Sequence, residues 1–272
     1  MRSNGKHPLI IPKNVWALGI VSLLMDLSSE MILSILPIFL VTGLGVSVLT
    51  LGLIEGFAEG IASMIKAFSG ALSDYLKKRK ILVVIGYGLS TLTKPFFALA
   101  STATWIFAAR FVDRLGKGIR GAPRDSLIAD STSTKIRGTA YSLRQALDTL
   151  GALLGPIFAI IILYLTTNNF RLVLWFAVIP AVLCIVVLIF GVKESTLKKN
   201  ISRKKSYFLF KNFLKITPVI WLFFLTVFIL NLGHFSEAFL LLRSQEIGLK
   251  VSFIPIVFVI MNVAYAIVAV PF

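Results

Sequence analysis

The chain has 272 residues, of which 57% are hydrophobic and only 15% charged, and its mean hydropathy is +0.89. Soluble globular chains run at about 45–50% apolar and about 25% charged, so this composition excludes that class and points to a membrane protein. The 28 Lys and Arg against 12 Asp and Glu leave a formal charge of +16; in a multispan protein that excess belongs to cytoplasmic loops, and nucleic acid is not an expected partner.

In chain order, a polar start with Arg2, Lys6 and Lys13 leads into an apolar run that is too long for a signal peptide and reads as a retained first helix. Apolar runs then fall at about 15–43, 48–72, 81–101, 104–122, 139–165, 171–192, 217–241 and 252–272. Most are long enough to cross a hydrocarbon core of about 30 Å at about 1.5 Å per residue. None alternates apolar and polar residues as a membrane β-barrel strand does. The expected fold is an all-α polytopic bundle of about eight transmembrane helices in the lipid bilayer.

With the N-terminus inside, the connections at 73–80, 114–137 and 193–215 collect 21 basic residues with the N-terminal ones, against Arg171, Arg243 and Lys250 on the other side. That asymmetry predicts a cytoplasmic N-terminus in an inner, plasma membrane. The longest polar connection divides the chain into a six-helix half (1–192), a basic cytoplasmic linker (193–216) and an incomplete second half (217–272) with helices seven and eight. A lone cysteine, Cys184, and two distant histidines, His7 and His234, supply no disulfide framework and no metal site. No cofactor is expected, and no nucleophile with a base or phosphate-binding loop suggests an enzyme.

Ionisable side chains at mid-bilayer are costly and usually face a bundle interior or a water-filled path. Here they are numerous: Asp26 and Glu30 in the first run, Glu55 and Glu59 in the second, Arg144 and Asp148 in the fifth, each pair spaced i, i+4 on one helix face. The fourth carries Arg110, Asp113, Arg114 and Lys117 as one stripe. Asp26 and Glu30 read either as a proton-titrating pair or as structural partners of the cations on the fourth and fifth helices. Arg144 and Asp148 can satisfy each other. Lys94 reads as a partner of Glu55 or Glu59, with contact to an anionic substrate as the alternative. His234 and Glu237, i and i+3 in the seventh run, form either a polar contact or a relay. Gly56-x-x-x-Gly60 and Gly151-x-x-x-Gly155 would let helix backbones approach closely.

Several stretches together resemble the major facilitator superfamily of secondary transporters. Gly70-Ala-Leu-Ser-Asp74 with Lys78, Arg79 and Lys80 resembles its signature loop after helix two. Arg110-Phe-Val-Asp113-Arg114-Leu-Gly116-Lys-Gly118 resembles its helix-four motif, with Asp113 and Arg114 in place of the usual Gln and Gly. Ala129-Asp130 and Arg137-Gly138 match the loop that leads to helix five, and Gly151-Ala-Leu-Leu-Gly155-Pro156 resembles the exporter-associated motif of that helix. Met25–Met31 and Glu237–Arg243 are similar to a little-characterised prokaryotic branch of the superfamily.

The resemblance implies alternating access about a central site, with Asp26, Glu30, Arg110, Asp113 and Asp148 lining the cavity and coupling protons to the exchange, a small organic molecule as ligand, and Gly151–Pro156 favouring export over proton-linked uptake of a solute or anion. It implies an inner-gate latch at Asp74 whose main partner is a late helix of the second half. It further implies twelve helices, of which this chain would lack four, so that the product is a truncated form, an inactive one, or a half that assembles with a second chain.

Overall fold

The computed structural model describes residues 11–76, 78–194, 220–222, 225–226 and 236–269. Every regular element among the described residues is helical. We number them α1 (Lys13–Leu33, continued by Leu36–Ile38 and a π turn at Phe39–Gly43), α2 (Val48–Leu76), α3 (Arg79–Leu99), α4 (Ala103–Ser131), α5 (Arg137–Leu165), α6 (Phe170–Phe176 and Val178–Gly191), α7 (Ala238–Glu246) and α8 (Ile256–Ala269). Among the described residues, six stretches are long and apolar enough to cross a membrane: α1, α2, α3, α5, α6 and Val251–Val268, which contains most of α8. α4 is too charged to qualify by composition, yet it has 29 residues and is packed lengthwise against α2 and α3. It therefore crosses with them. The seventh expected segment, 217–241, lies largely outside the described residues, as does most of the expected linker, 193–216.

Prolines set the breaks. Pro37 lacks an N–H and its ring crowds the carbonyl four residues back, at Leu33, which is where the first part of α1 stops. Pro180 does the same to Phe176, where α6 is interrupted, and Ser28 Oγ holds that interruption by donating to Ala177 O at 2.6 Å. Pro156 stays within α5 but leaves the Ala152 carbonyl without its helical donor. Asn262 of α8 supplies one, donating Nδ2–H at 3.1 Å. The helix-five proline thus docks the two parts of the chain on each other.

The helices pack as two trios, α3–α4–α2 and α5–α1–α6, joined by α3 against α6, with α8 on the outside of α5. Two apolar clusters close the ends. One gathers Val15, Leu18, Val83, Tyr87, Leu127 and Leu188 at the end of the bundle that carries Asp74 and Arg79, called the basic end below. The other gathers Ile35, Phe97, Ile106, Leu163, Leu174 and Leu241 at the opposite end. Between them lies a layer of buried charge. Phe57, Phe68, Tyr75, Leu165 and Phe190 point outward, each more than half exposed, as side chains that face lipid do.

One boundary corrects the sequence reading. The fourth apolar run ends near residue 122, but α4 continues to Ser131, so Arg114, Lys117, Arg120 and Arg124 stand inside the helix and not in a basic connection. The connection proper is only residues 132–136.

Candidate functional site

α4 builds the charged layer because two glycines let it sink between its neighbours. A Cβ on Gly116 would lie 2.5 Å from Gly86 O of α3, and one on Gly118 would lie 2.8 Å from Ala62 O of α2. With the backbones this close, the stripe on α4 reaches partners on three helices. Arg110 forks onto Glu55 of α2, its Nε at 3.1 Å from Oε1 and its terminal nitrogen at 2.6 Å from Oε2, the bidentate geometry that planar guanidinium favours. One turn on, Arg114 meets Glu59 at 3.2 Å. Glu55–Arg110 and Glu59–Arg114 are therefore two rungs of one ladder between α2 and α4.

Lys94 does not join that ladder. Its Nζ lies 3.1 Å from Asp113 Oδ1 and 3.1 Å from Ser29 Oγ, with the side chain 1% exposed. This corrects the expected Glu55 or Glu59 partner: the Lys94 side chain is held by α4 and α1. Toward the basic end, Arg120 donates to Ser90 Oγ and stacks on the Tyr87 ring with its guanidinium carbon 4.5 Å from the centroid. Arg124 donates to Ser22 Oγ at 3.0 Å and pairs with Asp125 at 3.2 Å. On α5, Arg144 and Asp148 pair within their own helix at 2.7 Å.

Two carboxylates stand apart. Asp26 and Glu30, half-buried on α1, make no side-chain hydrogen bond or ion pair among the described residues. The charges acting most strongly on them are those of Asp148, Arg120, Arg124 and Lys117 for Asp26, and those of Asp26, Lys117, Glu237 and Arg114 for Glu30. Glu237, at the start of α7, is half-buried and interacts with its surroundings; His234 lies outside the described residues.

The two glycine pairs behave differently. A Cβ on Gly151 would lie 2.4 Å from Leu23 O, and one on Gly155 would lie 2.7 Å from Glu30 Cβ and 2.9 Å from Leu27 O. α5 thus seats directly on the α1 turns that carry the unpaired carboxylates. Gly56 and Gly60 have nothing within 4 Å of such a Cβ. The expected close approach there is corrected: both face open space beside an exposed Phe57.

At the basic end, Arg79 bridges Asp74 at 3.3 Å and Asp130 at 2.6 Å, linking the ends of α2 and α4 through the start of α3. Glu194, just past α6, accepts the backbone N–H groups of Arg79 at 3.2 Å and Lys80 at 2.9 Å, which supplies the first turn of α3 with a negative charge and two acceptors. Lys80 Nζ returns to Ile189 O at 2.8 Å, and Lys78 is exposed. Gly70 lies in ordinary contact with Ala122, 3.4 Å from its Cβ. Arg79→Ala is expected to cost about 1–3 kcal/mol and to lower amide hydrogen-exchange protection in the last turns of α2 and α4, with the middle of α3 unchanged. Unchanged protection at both ends would show that the bridge holds nothing together.

Sequence reasoning missed Gly86, on which α4 seats, Tyr87 and Ser22, which hold Arg120 and Arg124, and Ser29, which holds Lys94 of α3. The signal available was Gly116-x-Gly118 inside a charged run, which requires a helix face in close contact.

This fold and site are those of a helical membrane transporter, seven of whose crossings are present among the described residues. The chain belongs to the Major Facilitator Superfamily, whose family model matches residues 18–272. It is 34% identical to an uncharacterized MFS-type transporter of Methanocaldococcus jannaschii, over 100% of this chain and 68% of that protein. It is 29% identical to an uncharacterized protein of Mycobacterium bovis, over 71% of this chain and 46% of that one. Multidrug resistance protein MdtH of Photorhabdus laumondii is 29% identical over 64% of this chain and 40% of its own length. Among solved structures, a bacterial homolog of the human lysosomal transporter Spinster, inward-facing and occupied, matches with a TM-score of 0.67 at 18% identity, over 89% of this chain and 56% of that one. A POT family transporter matches with 0.63 at 16% identity, over 89% and 49%. The matches therefore cover from 40% to 68% of the length of such proteins.

Proposed function

We propose that the protein is a secondary active transporter that moves a small organic molecule across the inner membrane by alternating access, coupled to protons and working as an exporter. Asp26 and Glu30 carry the reading: every other carboxylate of α1–α5 is ion-paired, from Glu55 with Arg110 to Asp148 with Arg144, while these two make no such pair among the described residues. A carboxylate left alone inside a membrane bundle is suited to bind a proton in one conformation and release it in the other, and such a difference in proton affinity is what couples a gradient to the exchange. Gly151–Pro156 and the printed name of the Photorhabdus relative favour export. The basic loops favour an N-terminus on the cytoplasmic side.

Alternating access needs two halves around one central site. We infer that an active second half is completed by further chain or by a second chain, which the intact mass of the protein in its native membrane separates: a mass near 29.9 kDa leaves a second chain or an inactive product, and a larger mass means further chain.

Asp26→Asn and Glu30→Gln in the full-length protein, reconstituted in vesicles, are expected to abolish transport driven by a pH gradient. If both variants keep gradient-driven transport, the pair is structural. Uptake is the second reading, favoured by the cationic face at Arg114 and Lys117; counterflow with the gradient reversed decides the direction.

A further inference from the structure

We propose that the transported molecule is a zwitterion, its ammonium group held by Asp26 and Glu30 and its acidic group by Lys117 with Arg114. The inference rests on the transporter reading above and names its substrate class.

The charge inventory points there. On α1 two carboxylates lack a partner; on the facing side of α4, Lys117 is exposed and makes no hydrogen bond or ion pair among the described residues. Arg114 is only 7% exposed, and its Nε is buried without an acceptor. Its pair with Glu59 uses the other end of the guanidinium, and the Glu59 side chain is 60% exposed. These groups also lie at one depth. α1 and α4 run antiparallel, tied by Arg124 to Ser22 at 3.0 Å at one level and by Asp113 through Lys94 to Ser29 at 3.1 Å at the next. Asp26 lies between those two ties and Glu30 one residue past the second, which sets them on α1 near the level of Lys117 and Arg114 on α4. The fields agree: Lys117 acts on both Asp26 and Glu30, and Arg114 on Glu30.

Unpaired charge of both signs on two adjacent helices selects its ligand by elimination. A simple amine satisfies α1 and is repelled by Lys117; a simple carboxylate satisfies Lys117 and is repelled by Asp26 and Glu30. A molecule with both groups replaces the lost hydration of each with a charge-assisted bond.

The test is binding to the full-length protein in nanodiscs. Glycine, β-alanine, γ-aminobutyrate and longer ω-amino acids are titrated calorimetrically against the amine and the carboxylate of the same carbon count. At least one ω-amino acid is expected to bind about tenfold tighter than both of its singly charged analogues. Lys117→Met, at an exposed and unpaired position that folding does not depend on, is expected to shift the preference to the amine, and Glu30→Gln to shift it toward the carboxylate. Equal or tighter binding of an amine or a carboxylate to the unmodified protein, no binding by any member of the series, or an unchanged preference in Lys117→Met would each overturn the inference. Binding needs no gradient, so the two claims fail separately. An ω-amino acid preference without gradient-driven transport sinks only the transporter reading, and gradient-driven transport of a singly charged molecule sinks only the zwitterion.

Discussion

Asp113→Asn is expected to destabilise the bundle by about 3–5 kcal/mol, the cost of removing one partner from a buried ion pair. The reason is what stays behind. Lys94 is 1% exposed, and with Asp113 neutral its ammonium keeps only uncharged acceptors, Ser29 Oγ at 3.1 Å and the amide oxygen that replaces the carboxylate, and has no countercharge. The other charges that act on it, Arg120 and Arg110, have its own sign. Adding Lys94→Met removes the stranded charge and is expected to recover most of the loss, because a buried pair replaced by apolar groups of similar volume is often close to neutral. Thermal unfolding in detergent of the two single variants and the double measures this. A single variant within about 1 kcal/mol of the parent, or a double as unstable as Asp113→Asn, would show that water reaches the pair and that the burial argument is wrong.

Gly151→Ala is the second large effect, and it follows from one methyl group. Its Cβ would lie 2.4 Å from Leu23 O, a backbone atom that no rotamer change can move aside. α1 and α5 must separate, which costs about 1–3 kcal/mol for overpacking of this kind and shifts the α1 turns that carry Asp26 and Glu30. Loss of stability and of transport should therefore appear together. Gly56→Ala is the matched control: its Cβ meets nothing within 4 Å, and alanine is favoured over glycine inside a helix by about 1 kcal/mol. That variant is expected to be neutral or slightly more stable. Equal melting shifts at the two positions would refute the contact between α1 and α5.

The two glycine pairs show where sequence reading stops. Both have the same spacing, which places both glycines of each pair on one helix face. Spacing says that a close approach is allowed, not that a neighbour is there. Lys94 teaches the same point for charge: the sequence offers Glu55 or Glu59 as its partner, and only the seating of Gly116 against Gly86, which brings α4 onto α3, delivers Asp113. The end of α4 falls outside the apolar run because its last turns carry Pro123, Arg124, Asp125, Asp130 and two serines. A polar helix end has the composition of a loop, and it stays helical here because Leu127 and Ile128 are buried in the apolar cluster at the basic end.

By itself the sequence determined the class of protein, because a run of about 20 apolar residues without charge has no stable place except across a membrane as a helix. It also determined which helices carry interior charge and the order of the family's motifs, since these are local properties of consecutive residues. Only the tertiary structure decided which charges are spent on each other and which are left over. Pairing depends on the depth and rotation of each helix, set by glycine contacts and proline breaks tens of residues away, and it is that remainder, Asp26, Glu30 and Lys117, from which the proposed transport chemistry follows.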